Sequence, residues 1–179
     1  MIPIIELESE RLALKQMTKQ HSNFIYQLRS NPLNGFYFGI EPYQSVDQAR
    51  EFVDSVIRDL SSCAIYFWVI VLKETNEQIG TICLWSFTKD KKKAEVGYEL
   101  LVSSQGNGYA SEALKRVQTF SKVDLQMNGL EAITNKDHTA SLKLLQKLGF
   151  EEIGDIFDVY PDTDEDSTMK VFRCLFTSV

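Results

Sequence analysis

Apolar and polar positions change their period several times along this chain, and each change marks an element. From Ile4 to Gln16 apolar residues recur as in a strand, with Glu8-Ser9-Glu10-Arg11-Leu12 leading into Ala13-Leu14-Lys15. Phe24, Ile25 and Leu28 then share one face of a helix that Thr18 caps and Asn31-Pro32 ends, because a residue before proline is pushed out of the α region. Leu33 to Tyr43 is aromatic and glycine-containing, with Phe36, Tyr37, Phe38 and Tyr43, and reads as a loop that either closes over a substrate or packs as core. Ser45-x-x-Gln48 is a capping-box pattern, and Ala49, Phe52, Val53, Val56, Ile57 and Leu60 follow it at helical spacing. Ala64 to Leu72 and Gln78 to Phe87 are continuous apolar runs joined by Glu74-Thr75-Asn76-Glu77, a pattern that predicts an antiparallel hairpin.

The polar turn Lys89-Asp90-Lys91-Lys92-Lys93 returns the chain into a third apolar run, Ala94 to Val102. Beyond the turn that follows it, Ala110, Ala113, Leu114, Val117, Phe120 and Ser121 mark one face of a helix, Gly129 punctuates, and Leu130 to Thr134 is a short strand. Strand, helix and strand in succession imply a right-handed crossover with parallel pairing. Leu142, Leu145 and Leu148 line a further helix ended by Gly149 as a left-handed cap. Glu151 to Asp158 and Met169 to Phe176 read as the last two strands, separated by the acidic loop Pro161 to Asp166.

The junction at Ser104-Gln105-Gly106-Asn107-Gly108-Tyr109-Ala110 carries the first chemical signal. A strand feeds a turn with two glycines that opens onto a helix. The first N–H groups of a helix lack partners within it and its dipole favours negative charge there, so such a turn suits a phosphate. Neither G-x-x-x-x-G-K-S/T nor G-x-G-x-x-G occurs anywhere in the chain, so a nucleoside triphosphate loop and a dinucleotide fingerprint are unsupported.

Composition narrows the class. The 179 residues suffice for one domain with a substantial core, at an ordinary 44% hydrophobic and 25% charged. The net charge of −6 argues against nonspecific nucleic-acid binding and is compatible with a cationic or amine substrate. Cys63, Cys83 and Cys174 are scattered, with no C-x-x-C, which indicates neither a disulfide scaffold nor a metal site. The first residues lack the basic segment of a signal peptide, and no apolar run approaches the ~18 residues of a membrane span. A cytoplasmic protein without membrane attachment is the expectation.

Two motifs in register point to a family. Gln105 to Ala110 fits Q/R-x-x-G-x-G/A, the pyrophosphate motif of the GNAT acetyltransferase superfamily. Asn135-x-x-His138-x-x-Ser141, followed by Leu144-Leu145-Gln146-Lys147-Leu148-Gly149-Phe150, is similar to that superfamily's N-x-x-N-x-x-S…K-x-G-F signature. With Glu95-Val96-Gly97-Tyr98 ahead of the loop and Glu8 to Leu12 near the N-terminus, the chain resembles the branch that includes ribosomal-protein N-terminal alanine and serine acetyltransferases. His138 departs from the pattern. It stands where the family usually has asparagine, and a neutral imidazole donates one hydrogen bond and accepts another with a different geometry.

The resemblance implies an α/β fold of one N-acetyltransferase domain over residues 1–179, with a mixed sheet of about six or seven strands flanked by about four helices. The strands Ala94–Val102 and Glu131–Thr134 would splay to admit the pantetheine arm of acetyl-CoA. Leu100, Leu101 and Val102 would present backbone groups to that arm, and Gln105, Gly106, Asn107, Gly108, Tyr109 and Ala110 would hold the pyrophosphate through backbone N–H groups. Asn135, His138 and Ser141 would complete the cofactor site, with Ser141 also donating to the leaving thiolate. A homodimer is a further implication of the family.

In this family the amine attacks the thioester directly, so it must be neutral. A protein α-amino group, with a reference pKa of ~7.7–8.0, costs only about 1 kcal/mol to deprotonate near neutrality, against roughly 4–5 kcal/mol for a lysine at ~10.4. Glu95 and Glu99 have the same parity on their strand and face one side unless a bulge intervenes, so either can accept the proton; Glu99, which lies nearer the implied thioester, is the favoured acceptor. The first reading is therefore an acetyl-CoA-dependent N-acetyltransferase, an acyltransferase acting on a protein N-terminus. The alternatives are a small-amine acetyltransferase for a polyamine, aminoglycoside or amino acid, and a non-catalytic acyl-CoA-binding module.

Overall fold

The computed structural model describes residues 4–35, 41–163 and 167–176. Phe36, Tyr37 and Phe38 of the aromatic loop and residues 164–166 of the acidic loop lie outside them. The strands are β1 (Leu7–Glu8), β2 (Leu12–Gln16), β3 (Tyr66–Leu72), β4 (Gln78–Trp85), β5 (Lys93–Leu100), β6 (Gly129–Asn135), β7 (Glu151–Asp155) and β8 (Met169–Leu175). The helices are α1 (Ser22–Arg29), α2 (Pro32–Gly35), α3 (Val46–Ser61), α4 (Tyr109–Val123), α5 (Thr139–Lys147) and α6 (Ile156–Val159). All eight strands join in one mixed sheet, in the order β1-β2-β3-β4-β5-β6-β8-β7.

Several expectations need correction. The sheet has eight strands rather than six or seven, because Ile4 to Gln16 is not one strand. Ser9 N–H bonds to the Leu12 carbonyl at 2.9 Å, turning the chain so that β1 folds back antiparallel onto β2. Thr18 caps a single 3-10 turn, Lys19–His21, which then runs into α1; α1 ends at Arg29, ahead of Asn31-Pro32 as expected, and Pro32 opens the short α2. Glu151 to Asp158 is not wholly a strand. After Gly154, whose φ is +146°, the chain leaves the sheet and winds into α6. The third apolar run ends at Leu100, and Val102 belongs to a 3-10 turn.

The remaining elements follow their sequence signals. Ser45 accepts the Gln48 N–H at 3.4 Å while the Gln48 side chain accepts the Ser45 N–H at 3.2 Å, closing the capping box of α3. The β3–β4 hairpin forms antiparallel, with an irregularity between Ile70 and Val71. Gly149 takes φ +80° as the left-handed end of α5, and Phe150 N–H reaches back to the Leu145 carbonyl at 3.0 Å.

Why β3 reads as an unbroken apolar run is clear from the layers. Trp68 and Ile70 face one core with Leu114, Val117 and Phe120 of α4, whereas Phe67, Val69 and Val71 face another with Ile25 and Leu28 of α1 and Val53 and Val56 of α3. A strand covered on both faces needs no polar alternation. The sheet is continuous except at its centre. β5 and β6 run parallel but pair only through Lys93 with Gly129, Ala94 with Leu130 and Glu95 with Glu131. From Val96 onward the edge of β5 that faces β6 has no partner strand among the described residues, and a gap opens there.

Candidate active site

That gap leads into a cavity of about 490 Å³. Its walls come from α1 and α3 (Arg29, Phe52, Asp59), from β3 to β5 (Phe67, Thr81, Trp85, Glu95, Gly97, Tyr98, Glu99), and from β6 and α5 (Ile133, His138, Ser141). The β4–β5 register is unbroken, pairing Thr81 with Glu99, Cys83 with Gly97 and Trp85 with Glu95. No bulge intervenes, so both glutamates project from the α1/α3 face of β5. Tyr98 has the opposite parity and turns towards the other core and α5.

The two carboxylates have different surroundings. Glu99 Oε1 accepts from Arg29 Nε at 3.0 Å, Arg29 Nη2 at 2.8 Å and Thr81 Oγ1 at 3.2 Å. Arg29 lies with its guanidinium 4.0 Å from the Phe52 ring centroid and gives a further bond to the Tyr43 hydroxyl at 3.2 Å. Burial alone would weaken that cation, but the facing Glu99 carboxylate outweighs it and raises its pKa. Glu95, in contrast, accepts one neutral donor, Trp85 Nε1 at 2.8 Å. Between the glutamates, Gly97 leaves room for that indole. A Cβ there would stand 3.3 Å from the Trp85 ring and 3.4 Å from Cys83 Sγ. Cys83 itself is a core thiol pushed up to about 12 by burial, with Glu99 adding to the effect, and is not a nucleophile.

On the α5 side, Ser141 sits in the first turn of the helix, buried, with Oγ 2.9 Å from the Tyr98 hydroxyl. Burial drives the Tyr98 phenol up to about 12, so it stays protonated. His138 is the N-cap residue of α5, and burial lowers its pKa, keeping the imidazole neutral at pH 7. Asn135 does not reach the cavity. Its amide donates to Thr168 Oγ1 at 2.7 Å and its carbonyl oxygen accepts the Asp137 N–H at 2.9 Å, which holds the turn into α5.

The glycine turn lies beyond the end of β5. Gly106 and Gly108 both have φ +79°, a conformation costly for any side chain, and no atom stands within 4 Å of where a Gly106 Cβ would be. Within the described residues, the backbone N–H groups of Gly106, Asn107, Gly108, Tyr109 and Ala110 make no hydrogen bond. Side chains meanwhile fix the turn from behind. Gln105 Nε2 donates to the Leu100 carbonyl at 3.3 Å, and Asn107 Nδ2 to the Gln105 carbonyl at 3.0 Å. Glu112 Oε1 accepts from Ser9 Oγ at 2.8 Å and Arg11 N at 2.7 Å; Arg11 also bonds Glu112 Oε2 at 2.7 Å and the Asn107 carbonyl at 3.1 Å. A turn with five N–H groups that find no partner among the described residues is what a pyrophosphate needs, so the residues present fit the diphosphate of a coenzyme A thioester.

A model of the Acetyltransferase (GNAT) domain family matches residues 11–151. The chain belongs to that family. It is an N-acetyltransferase of the GNAT type, with the mixed sheet and flanking helices that go with it. It is 36% identical over 150 residues to the uncharacterized N-acetyltransferase p20 of Bacillus licheniformis, covering 83% of each chain. It is 22% identical over 152 residues to a spermidine N(1)-acetyltransferase of Vibrio cholerae, covering 85% of this chain and 86% of that one. Among solved structures, RimL, a ribosomal L7/L12 alpha-N-protein acetyltransferase in complex with coenzyme A, superposes with a TM-score of 0.77 at 18% identity, covering 98% of this chain and 97% of the other. At that identity the likeness concerns the fold.

The cavity unites four of the residues singled out from the sequence, Glu95, Glu99, His138 and Ser141, and leaves out Asn135, Leu100 to Val102 and the glycine turn. The carbonyls of Leu100, Leu101 and Val102 each already accept a bond, from Gln105 Nε2, Ser104 N and Gln105 N respectively. Three cavity residues carried no sequence signal for their position: Arg29, Trp85 and Tyr98. Only Tyr98 lay inside a recognised motif, and its partner on α5 is 43 residues away.

Proposed function

We propose that this protein transfers the acetyl group of acetyl-CoA to the α-amino group of a protein N-terminus. The observation that carries this reading is the division of labour across β5, with carboxylates on one face, hydroxyls on the other, and the gap to β6 between them. Acetyl-CoA, when bound, supplies an activated acetyl thioester. Gly106 to Ala110 hold the diphosphate by their backbone N–H groups, and the unpaired edge of β5 from Val96 onward, continuing into Leu100, Leu101 and Val102, accompanies the pantetheine. Asn135 shapes the turn that carries His138 and Ser141. Ser141 donates a hydrogen bond to the sulfur as it leaves.

Glu95 takes the proton that the attacking nitrogen sheds. Glu99 is a poor choice for that task because Arg29 already holds the oxygen it presents. An α-amino group asks little of that acceptor, since its deprotonation costs about 1 kcal/mol, against roughly 4–5 kcal/mol for a lysine. The apolar wall of Phe52, Phe67 and Ile133 suits the side chain of a first residue. A second reading, a small cationic amine, is favoured by Asp59 and Glu95 on the same cavity, both without a cation beside them among the described residues.

Thiol release from acetyl-CoA, measured with peptides of varied first residue, the same peptides N-terminally blocked, and spermidine, tests the proposal. Turnover on free but not blocked peptides is the expected result. Turnover on spermidine alone would shift the assignment to the small-amine reading, and binding of CoA with no release on any amine would leave only a binding module.

A further inference from the structure

We propose that Tyr98 is a positioning residue for the leaving thiolate, acting through Ser141: its hydroxyl donates to Ser141 Oγ and so aims the serine's own hydrogen into the cavity. This rests on the acetyl-CoA reading above. Tyr98 Oη and Ser141 Oγ lie 2.9 Å apart, and both side chains line the cavity at the gap between β5 and β6. A lone serine hydroxyl has three staggered rotamers and can spend its hydrogen on a nearby backbone carbonyl, as serines in the first turns of helices often do. Bonding to Tyr98 removes that freedom.

Either hydroxyl can donate in this pair, and the proposed direction is the one that leaves the serine hydrogen free for the cavity. Tyr98 is half-buried, and burial keeps its phenol neutral far beyond the working pH, so it always has a hydrogen to donate. With Tyr98 donating to Ser141 Oγ, the serine hydrogen is left for a third atom, and each O–H polarises the next. Ser141 also lies in the first turn of α5, where unpaired N–H groups and the helix dipole favour a neighbouring negative charge. Both hydroxyls keep their protons throughout. The carbon–sulfur bond breaks as the carbon–nitrogen bond forms, the nitrogen's proton passes to Glu95, and the sulfur departs as a thiolate held by hydrogen bonds.

The device has a readout that needs no turnover. In calorimetric titrations of the full chain, the preference for CoA over desulfo-CoA should grow by about tenfold between about pH 6.5 and about pH 9.5, as a thiol of pKa ~8.5 ionises. Tyr98→Phe and Ser141→Ala should each flatten that dependence while leaving desulfo-CoA affinity unchanged, and the double variant should be no flatter than Ser141→Ala alone. A wild-type preference independent of pH, a Tyr98→Phe variant that keeps the slope, or additive effects would each overturn the proposal. Because phenylalanine keeps the ring, folding is expected to survive. As a second measurement on the unmutated sequence, incorporation of 3-fluorotyrosine strengthens the phenol as a donor and should steepen the slope; an unchanged slope would count against Tyr98. Failure of both ligands to bind the wild type would instead bring down the acetyl-CoA reading, and this proposal with it.

Discussion

Arg29 and Glu99 join two layers of the molecule. The guanidinium comes from the last residue of α1, the carboxylate from the penultimate residue of β5, and both Nε and Nη2 lie within 3.0 Å of one carboxylate oxygen. The side chains are only 17% and 18% exposed, so removing one partner leaves the other charged group largely shielded from water.

Glu99→Gln should therefore destabilise the fold by about 2–3 kcal/mol, below the full cost of breaking a wholly buried pair because some exposure remains. Replacing both residues by apolar ones of similar size should recover most of that loss. Denaturant midpoints of the wild type and the two variants measure it. If Glu99 instead served mainly as proton acceptor, its single variant would lose turnover with little change in midpoint.

Glu95→Gln should keep the fold and slow turnover on a peptide substrate by about tenfold to a hundredfold at pH 7, at or below the low end of the ~10²–10⁴-fold usual for general acid–base catalysis because the amine needs little help. The deficit should shrink towards pH 9 as the amine loses its proton to solvent unaided. Trp85→Phe, which removes the indole donor to Glu95, should give a smaller effect of the same kind. Steady-state rates against pH, at saturating acetyl-CoA, provide the comparison.

Gly108→Ala should weaken CoA binding by about fivefold to thirtyfold, since a positive φ costs a side chain about 1–2 kcal/mol and shifting the backbone turns its N–H groups away. Space is not the obstacle there, as the nearest atom to the added Cβ is Arg11 Nη2 at 3.5 Å. Glu112→Ala, which releases Ser9 and Arg11 from the back of the turn, should weaken CoA as well without touching the ligand. Calorimetry with CoA tests both, and wild-type affinity in either variant would contradict the assignment of the turn.

Stability should fall at alkaline pH. Tyr98 is raised from its ordinary value of 10.0, and Cys83 from 9.0, each to about 12. The folded state therefore holds protons that the unfolded chain has already released, so stability is intact below about pH 9 and declines as pH climbs towards about 12. Melting temperatures across that interval, followed beside tyrosinate absorbance, should show the decline. Tyr98→Phe should soften it.

How much of this was legible in the sequence depended on how local the cause was. The capping box at Ser45, the left-handed end of α5 at Gly149 and the double-glycine turn are set by residues within a few positions, and each forms as its pattern indicates. The β1–β2 reversal was missed because Ser9 and Leu12 close it through a backbone bond with no turn residue to announce it. The winding into α6 was missed because Ile156 and Phe157 read as strand, and the glycine bend before them decides otherwise. In the cavity, parity brought Glu95 and Glu99 to one face as the pattern implied. Their unequal roles were invisible, since the difference is made by Arg29, 70 residues away, and by an indole on the neighbouring strand.

The short parallel pairing of β5 with β6 also bears on the order of events. If, as proposed, acetyl-CoA lies along the unpaired edge of β5 and the amine enters from the α1/α3 face, the two substrates approach the acetyl carbon from opposite sides of one unzipped seam, and a ternary complex can assemble in either order. Initial-rate lines for the two substrates should intersect and not run parallel.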